Sequence, residues 1–230
     1  MTFSILAKNP NTKEIGIAIA TYSLAVGATC PSFIKGEAVI TSQSATNPKI
    51  GEKIKKLIIN KKDPENAFNS SIKEDPFYNF RQVALLTFGN KPLVFTGNEV
   101  NKYCGSVISD NCIAIGNYLA GKNVLDSMIE NFENENENIS LGEKLISSLL
   151  SAKNSGGQKS LEGSELPERS ACIIVSSLEE SFPVNLRIDF SSNPINDLSE
   201  LYSKYIGMHN YYLKRASNPK NLPPQYKLNF

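Results

Sequence analysis

The chain predicts an α+β protein built as a four-layer αββα sandwich, with two stacked, mainly antiparallel sheets covered by helices on both outer faces. Three observations carry this. Apolar runs of strand length come in pairs joined by turn-rich links, and apolar residues at helical spacing come in pairs between them. A chain of 230 residues at 40% hydrophobic can bury a core large enough for such a layered arrangement. No Pro/Gly/Ser-rich hinge divides the sequence. Residues 1–207 therefore read as a single domain, and residues 208–230 as a C-terminal tail packing on the domain or on a neighbouring subunit.

The first two strands are Phe3-Ser-Ile-Leu-Ala7 and Ile15-Gly-Ile-Ala-Ile-Ala20, an antiparallel hairpin closed by Asn9-Pro-Asn-Thr-Lys13. A third, Ala38-Val-Ile-Thr-Ser-Gln43, ends in polar residues before Asn47-Pro48, after which Ile50, Ile54, Leu57 and Ile58 recur at helical spacing. Pro64 to Ile72 makes a second short helix. Val83 to Phe88 and Pro92 to Thr96 flank Gly89-Asn90 as strands, and another strand near Ile113 runs into Gly116-Asn117. Leu119 to Phe132 and Leu141 to Ala152 form the second helix pair, separated by the acidic, asparagine-rich loop Glu133 to Asn138. Ser155 to Glu168 is a glycine-containing, charged loop. Ala171 to Val175 and Val184 to Ile188 are strands, and Ile195 to Ile206 is the closing helix.

Composition removes several function classes. Lys+Arg of 24 against Asp+Glu of 23 leaves a net charge of +1, no electrostatic footprint for nucleic acid or an anionic membrane. The first stretch lacks a basic n-region and polar residues interrupt every apolar run, so the expected location is cytoplasmic. Cys30, Cys104, Cys112 and Cys172 are scattered without a CxxC pair, against both a zinc knuckle and a disulfide framework. His209 is the only histidine and lies near a polar, proline-containing tail, so Ser-His or Cys-His catalysis has little to use. No metal or organic cofactor is expected, and the partner that fits is a small, near-neutral substrate.

A hydrolase built from this chain needs another base, and the second residue offers one. Thr2 follows Met1 at the head of a buried strand, and threonine is small enough to permit methionine trimming. Removal of Met1 would place a hydroxyl and a free α-amine on one residue. Such an amine titrates at about 7.7–8.0, close enough to neutrality to take the hydroxyl proton and return it to a leaving group. A threonine activated by its own amine is an established nucleophile design. The plainer reading is a polar residue that starts a strand.

MTFSILAKNPNTKEIGIAIA, AVGATCPSFIKGEAVITSQSATNPKIGEK, FRQVALL, AIGNYLAG and NLRID together resemble the domain of unknown function 1028 family, over Met1 to about Tyr205. The resemblance implies the fold of the N-terminal nucleophile (Ntn) hydrolases, whose first strand starts with the Thr, Ser or Cys that attacks an amide. It implies no substrate. Lys35 matches a position usually basic in that family; as a buried cation it would depress the nucleophile or hold a substrate carboxylate, and otherwise it is an exposed lysine. Gln43, Ser44 and Asn47 form a polar cluster at a strand-to-helix junction. Gln43 suits an oxyanion hole or a substrate amide, and Asn47 before Pro48 suits a helix cap. Thr21 and Ser23 close the second strand beside the first. Gly116 and Asn117 stand at a strand-to-helix turn, where Asn117 is the candidate oxyanion donor or substrate-amide ligand, with a structural Gly-Asn turn as the alternative. Arg81 opens the fourth strand as an ion-pair partner or a ligand for an acidic substrate. The chain departs from the family pattern at Gln158 and Arg169, through Leu161 to Glu168, and again at Asp189-Phe190-Ser191.

The expected function is an N-terminal-nucleophile amidohydrolase cleaving a small amide or peptide-like C–N bond, with catalytic Thr2, Asn117 and Lys35. The substrate would be lined by Thr21, Ser23, Gln43, Ser44, Asn47, Arg81 and Gly116. The alternative is a non-catalytic αββα protein that binds a small molecule or serves as an oligomeric scaffold; a thiol enzyme using Cys30 or Cys172 is a weaker third. Related folds imply a homodimer or higher homo-oligomer, for which Tyr202, Tyr205, Tyr211 and Tyr212 offer amphipathic contacts.

Overall fold

The computed structural model describes residues 1–136 and 138–228. Glu137 of the expected linker, and Asn229 and Phe230 of the tail, lie outside the described residues. In chain order come β1 (Thr2–Asn9), β2 (Glu14–Thr21), a single turn α1 (Val26–Thr29), β3 (Pro31–Ile34), β4 (Ala38–Ser44), α2 (Pro48–Ile59) and α3 (Pro64–Lys73). They are followed by β5 (Arg81–Thr87), β6 (Leu93–Thr96), β7 (Gly105–Ile108), β8 (Cys112–Asn117), α4 (Asn123–Asn134), α5 (Leu141–Asn154), β9 (Ser170–Ser176), β10 (Val184–Ile188) and α6 (Pro194–Ser217).

The strands form two sheets, of order β10-β9-β2-β1-β8-β7 and β3-β4-β5-β6, and every ladder is antiparallel. Three apolar layers show how they stack. Phe3, Ile5 and Ala7 of β1 pack with Val124, Met128, Leu145 and Leu198 of α4, α5 and α6. Alternate residues face the other way: Leu6, Ile17, Ile19, Ile113 and Ile115 of the larger sheet meet Val39, Ala84 and Leu86 of the smaller. The outer face of the smaller sheet, through Ile40, Val83 and Leu85, covers Ile50, Ile54, Phe68 and Ile72 of α2 and α3. The period-two alternation of each central strand thus supplies two cores at once.

Helix starts are set by local chemistry. The Asn47 side chain accepts from Lys49 N at 3.2 Å, with Pro48 at the first helical position of α2. Asp63 accepts from Asn66 N at 2.9 Å ahead of Pro64 in α3, and Ser140 and Glu143 form a capping box on α5.

Three features differ from the sequence reading. The edge strands β3 and β7 and the turn α1 were not expected, because four-residue elements carry too few alternations to register. Helix α4 begins at Asn123 and not at Leu119, because Tyr118 takes a left-handed φ of 55° and turns the chain, and Leu119 N is held by Tyr103 O at 2.9 Å. Helix α6 continues to Ser217, well past Ile206. The chain after it folds back: Tyr211 Oη donates to Pro223 O at 2.8 Å and Arg215 Nη1 to Gln225 Oε1 at 3.3 Å. No described helix is long and apolar enough to cross a membrane.

Candidate active site

The space between the sheets is apolar at one end and polar at the other. Proceeding along β1 toward its start, inward-facing Leu6 gives way to Ser4 and Thr2. The same change occurs on the neighbours at the same level. Ile19 of β2 is followed by Thr21, Ile115 of β8 by Asn117, Val39 of β4 by Thr41 and Gln43, and Ala84 of β5 is preceded by Gln82. All seven polar side chains are buried: Thr2 is 5% exposed, Thr21 1%, and Ser4, Thr41, Gln43, Gln82 and Asn117 are 0%. Burying so many polar groups is favourable only if they satisfy one another, and nearly all do.

Register places Thr2 between Thr21 on β2 and Asn117 on β8 as its two cross-strand partners. The hydroxyls of Thr2 and Thr21 are 3.2 Å apart. Thr21 Oγ1 also donates to the Met1 carbonyl and accepts from Ser23 N at 3.3 Å. A hydroxyl has one proton, so Thr2 must be the donor toward Thr21.

The amides are oriented by the same accounting. Gln82 Nε2 faces Gly116 O at 2.9 Å, Gly105 O at 3.3 Å and Thr96 Oγ1 at 3.1 Å; two of these are carbonyls, which only accept. Gln82 Oε1 must therefore face the other way, where it accepts from Gln43 Nε2 at 2.8 Å and Asn117 Nδ2 at 3.0 Å. Gln43 Oε1 in turn accepts from Ser4 at 2.7 Å and Thr41 at 3.2 Å. The end of this chain is Asn117 Oδ1, a buried acceptor without a partner among the described residues. Gly116 keeps β8 tight against β1 here, since a Cβ would lie 2.9 Å from both the Thr2 carbonyl oxygen and a Leu119 methyl.

Among the described residues, five non-glycine positions have positive φ, and Ala25, Ser44 and Tyr118 of these border this end of the sandwich. Left-handed backbone of this kind concentrates at functional sites. Burial pushes the Met1 amine down to about 6, with Cys30 acting in the opposite direction. Burial likewise raises the thiols of Cys30 and Cys172, which removes the thiolate that a cysteine enzyme would need. His209 lies 3.2 Å from Glu180 in the β9–β10 turn, at the opposite end of the sheet from Thr2.

Thr2, Thr21, Gln43, Gly116 and Asn117 thus come together as one polar layer. Ser23 is exposed at its edge and joins through its backbone, its carbonyl accepting from Ser170 Oγ at 2.8 Å. Ser44 ends β4 beside it, with a φ of 73°. Asn47 is the cap of α2 and also donates to Asp75 at 3.3 Å. Arg81 is held by Asp75 at 2.7 Å, with the two side chains 13% and 7% exposed. Burial works against the Asp75 carboxylate, but hydrogen bonds from Arg81, the Phe77 N–H and Asn47 outweigh it and hold the carboxyl below its ordinary range. Arg81 is therefore engaged in an ion pair.

Lys35 requires a correction. It is exposed in the β3–β4 turn, beyond Ala38, whose partner Thr87 lies at the Lys8 end of the sandwich. The expectation of a buried cation beside Thr2 fails because Lys35 precedes the start of β4 while Gln43 stands near its end, so the length of the strand separates them. A cavity of about 700 Å³ opens at that far end, between Gly36, Ile58, Phe88 and Leu178. The inward-facing hydroxyls and amides are at the other end.

Sequence reasoning missed Gln82, Ser4 and Thr41. A signal existed: each is polar at a position whose next inward-facing neighbour, two residues away, is aliphatic. It also passed over the stack at the rim, where the Arg169 guanidinium lies 3.7 Å from the centre of the Tyr22 ring while Arg169 N donates to Thr21 O at 2.8 Å.

The model of a family of unknown function, DUF1028, matches residues 2–198. A crystal structure of a protein from Silicibacter pomeroyi assigned to the same family superposes with a TM-score of 0.78 at 32% identity, covering 88% of this chain and 85% of that one. The ancestral beta-subunit Anbu from Yersinia bercovieri gives a TM-score of 0.40 at 12% identity over 99% of this chain and 100% of that one. No curated protein matches. With all ten strands, the polar layer and the helices up to the start of α6 within the matched span, this chain belongs to the DUF1028 family.

Proposed function

We propose that the chain is an N-terminal-nucleophile amidohydrolase of the Ntn type, in which removal of Met1 makes Thr2 the amino terminus. The observation that carries this reading is the position of Thr2. It heads a central strand, and its hydroxyl faces into a buried layer of hydroxyls and amides, 3.2 Å from Thr21 Oγ1. A strand at the middle of a sheet holds its first residue rigidly, which a nucleophile needs.

The reaction follows from that geometry. The Thr2 α-amine takes the hydroxyl proton as Oγ1 bonds to the substrate carbonyl carbon, and the carbonyl oxygen becomes an oxyanion. Thr21, whose hydroxyl holds the Met1 carbonyl, is released by trimming and becomes the donor for that oxygen. The C–N bond then breaks, the α-ammonium returns its proton to the departing amine, and water cleaves the acyl ester on Thr2 to give a carboxylic acid. Neither a metal nor an organic cofactor enters these steps. The layer around Thr2 consists of neutral amides and hydroxyls, which favours a small, near-neutral amide.

Intact mass before and after a threonine-reactive β-lactone tests this. Loss of Met1 with one adduct on Thr2, absent from Thr2→Ala, is the expected result. Uniform retention of Met1 in protein from the native host would overturn it and leave a binding or scaffold role as the better reading.

A further inference from the structure

We infer that Asn117 is a positioning residue whose side-chain oxygen accepts a hydrogen bond from the α-amine of Thr2 once Met1 is gone. The inference rests on the reading above, and it replaces the expected oxyanion role of Asn117 with a different one.

Asn117 is fully buried, and its Oδ1 lacks a partner among the described residues although every neighbouring amide is satisfied. The orientation is not free. Turning the amide over would put Oδ1 against Gln82 Oε1, and Gln82 cannot turn because its Nε2 faces the carbonyls of Gly116 and Gly105. The site therefore presents a fixed, buried acceptor beside Thr2. An acceptor repels a developing oxyanion and attracts an N–H.

The donor it matches is already next to it. Lys8 N donates to Asn111 O at 2.9 Å, and antiparallel ladders alternate, so the even-numbered residues of β1 direct their N–H groups at β8. Thr2 N accordingly points at the strand that carries Asn117, its partner in the register. Its hydroxyl turns to the opposite flank, toward Thr21. While Met1 is attached, Thr2 N is an amide with a single hydrogen for the ladder. Trimming turns it into an amine or ammonium with further hydrogens, and Asn117 Oδ1 is the acceptor without a donor on that side. Asn117 would thus hold the base while Thr21 holds the nucleophile.

The titratable surroundings are sparse. Thr21 of β2, Thr41 and Gln43 of β4 and Gln82 of β5 face this point and carry no charge near neutrality. Cys30, after α1, is the group that acts electrostatically on the terminus, and burial keeps it a thiol.

The test uses the full chain made to begin at Thr2 by excision of a cleavable leader, so it depends neither on native trimming nor on hydrolysis. The reactivity of the terminal amine toward an isothiocyanate is followed against pH and mapped to the Thr2 peptide by mass. Asn117→Leu should lower the midpoint by about one unit, because the ammonium loses its acceptor. Asn117→Asp should raise it by about 1–3 units, because a carboxylate takes that place. A merely structural residue would not move the two variants in opposite directions. Midpoints unchanged from wild type, or shifted the same way in both, would overturn the inference. Should either variant fail to fold, a crystal structure of the wild-type Thr2-terminal chain decides. Oδ1 within about 3.2 Å of Thr2 N supports the inference, and a longer separation refutes it. Uniform retention of Met1 in the native protein would sink the hydrolase reading while leaving these measurements intact.

Discussion

Replacing Gln82 with methionine isolates the polar layer from the apolar core around it. Methionine keeps nearly the same length and fills the same space, so no large cavity opens. The hydrogen bonds go. Asn117 Nδ2 loses its acceptor, while Gln43 Nε2 retains Ile115 O at 3.5 Å. Gly116 O, Gly105 O and Thr96 Oγ1 each lose a donor. A buried donor left without an acceptor costs about 1–3 kcal/mol, and each further bond contributes roughly 0.5–1.5 kcal/mol net. Together one such donor and three such bonds amount to about 2.5–7.5 kcal/mol, a large part of the 5–15 kcal/mol that typically holds a domain together. Equilibrium urea unfolding reads this as a lower midpoint at constant slope, and thermal unfolding as a fall of about 5–30 °C. Gln82→Glu should also destabilise, despite its shape, because it aims an oxygen at the Gly116 carbonyl. A loss below about 1 kcal/mol for Gln82→Met would refute the claim that this glutamine organises the layer.

Arg81→Met should destabilise by about 3–5 kcal/mol at pH 7, since it leaves the Asp75 carboxylate buried and without its cation. In the wild type the Asp75 carboxyl is held below its ordinary range, so its contribution is complete above the unfolded value of about 3.9 and is lost as pH falls through the folded one. The gap between wild type and variant should therefore narrow in acid, and unfolding free energies from pH 7 to pH 3 check it. Lys35→Ala should change stability by no more than about 0.5 kcal/mol and leave β-lactone labelling of Thr2 at the wild-type rate. A large loss of labelling would contradict the placement of Lys35 at the far end.

Strand pairs, helix pairs and their order were legible because the central strands are long and their alternation is regular. β1 and β2 each run for eight residues. Thr2, Thr21, Gln43 and Asn117 were legible for a related reason, being polar residues at the ends of apolar strands. Gln82 was not, because it stands next to charged Arg81 just ahead of the apolar run Val83 to Phe88, and only the stacked sheets show that it shares the inward face of Ala84 and Leu86. The orphaned oxygen of Asn117 could not be read from sequence at all. It is the remainder left after four side chains on separate strands have settled which way each amide points, and that accounting requires the sheets to be stacked. Lys35 failed for a geometric reason: it precedes β4 while Gln43 stands near the end of that strand, so one extended strand holds the two apart.

Two smooth apolar sheets stacked face to face can slide over one another at little cost, because aliphatic contacts are exchanged for similar ones. Gln43 and Gln82 remove that freedom. Each reaches from the smaller sheet to backbone carbonyls of the larger, Ile115 in one case and Gly105 and Gly116 in the other. A displacement of even one residue would strand every amide in the layer, so the sheets have a single setting, like a key in its wards. The relative placement of the two halves of the molecule is therefore decided at the same end where Thr2 waits, and a chain whose sheets docked wrongly could not present that threonine to anything.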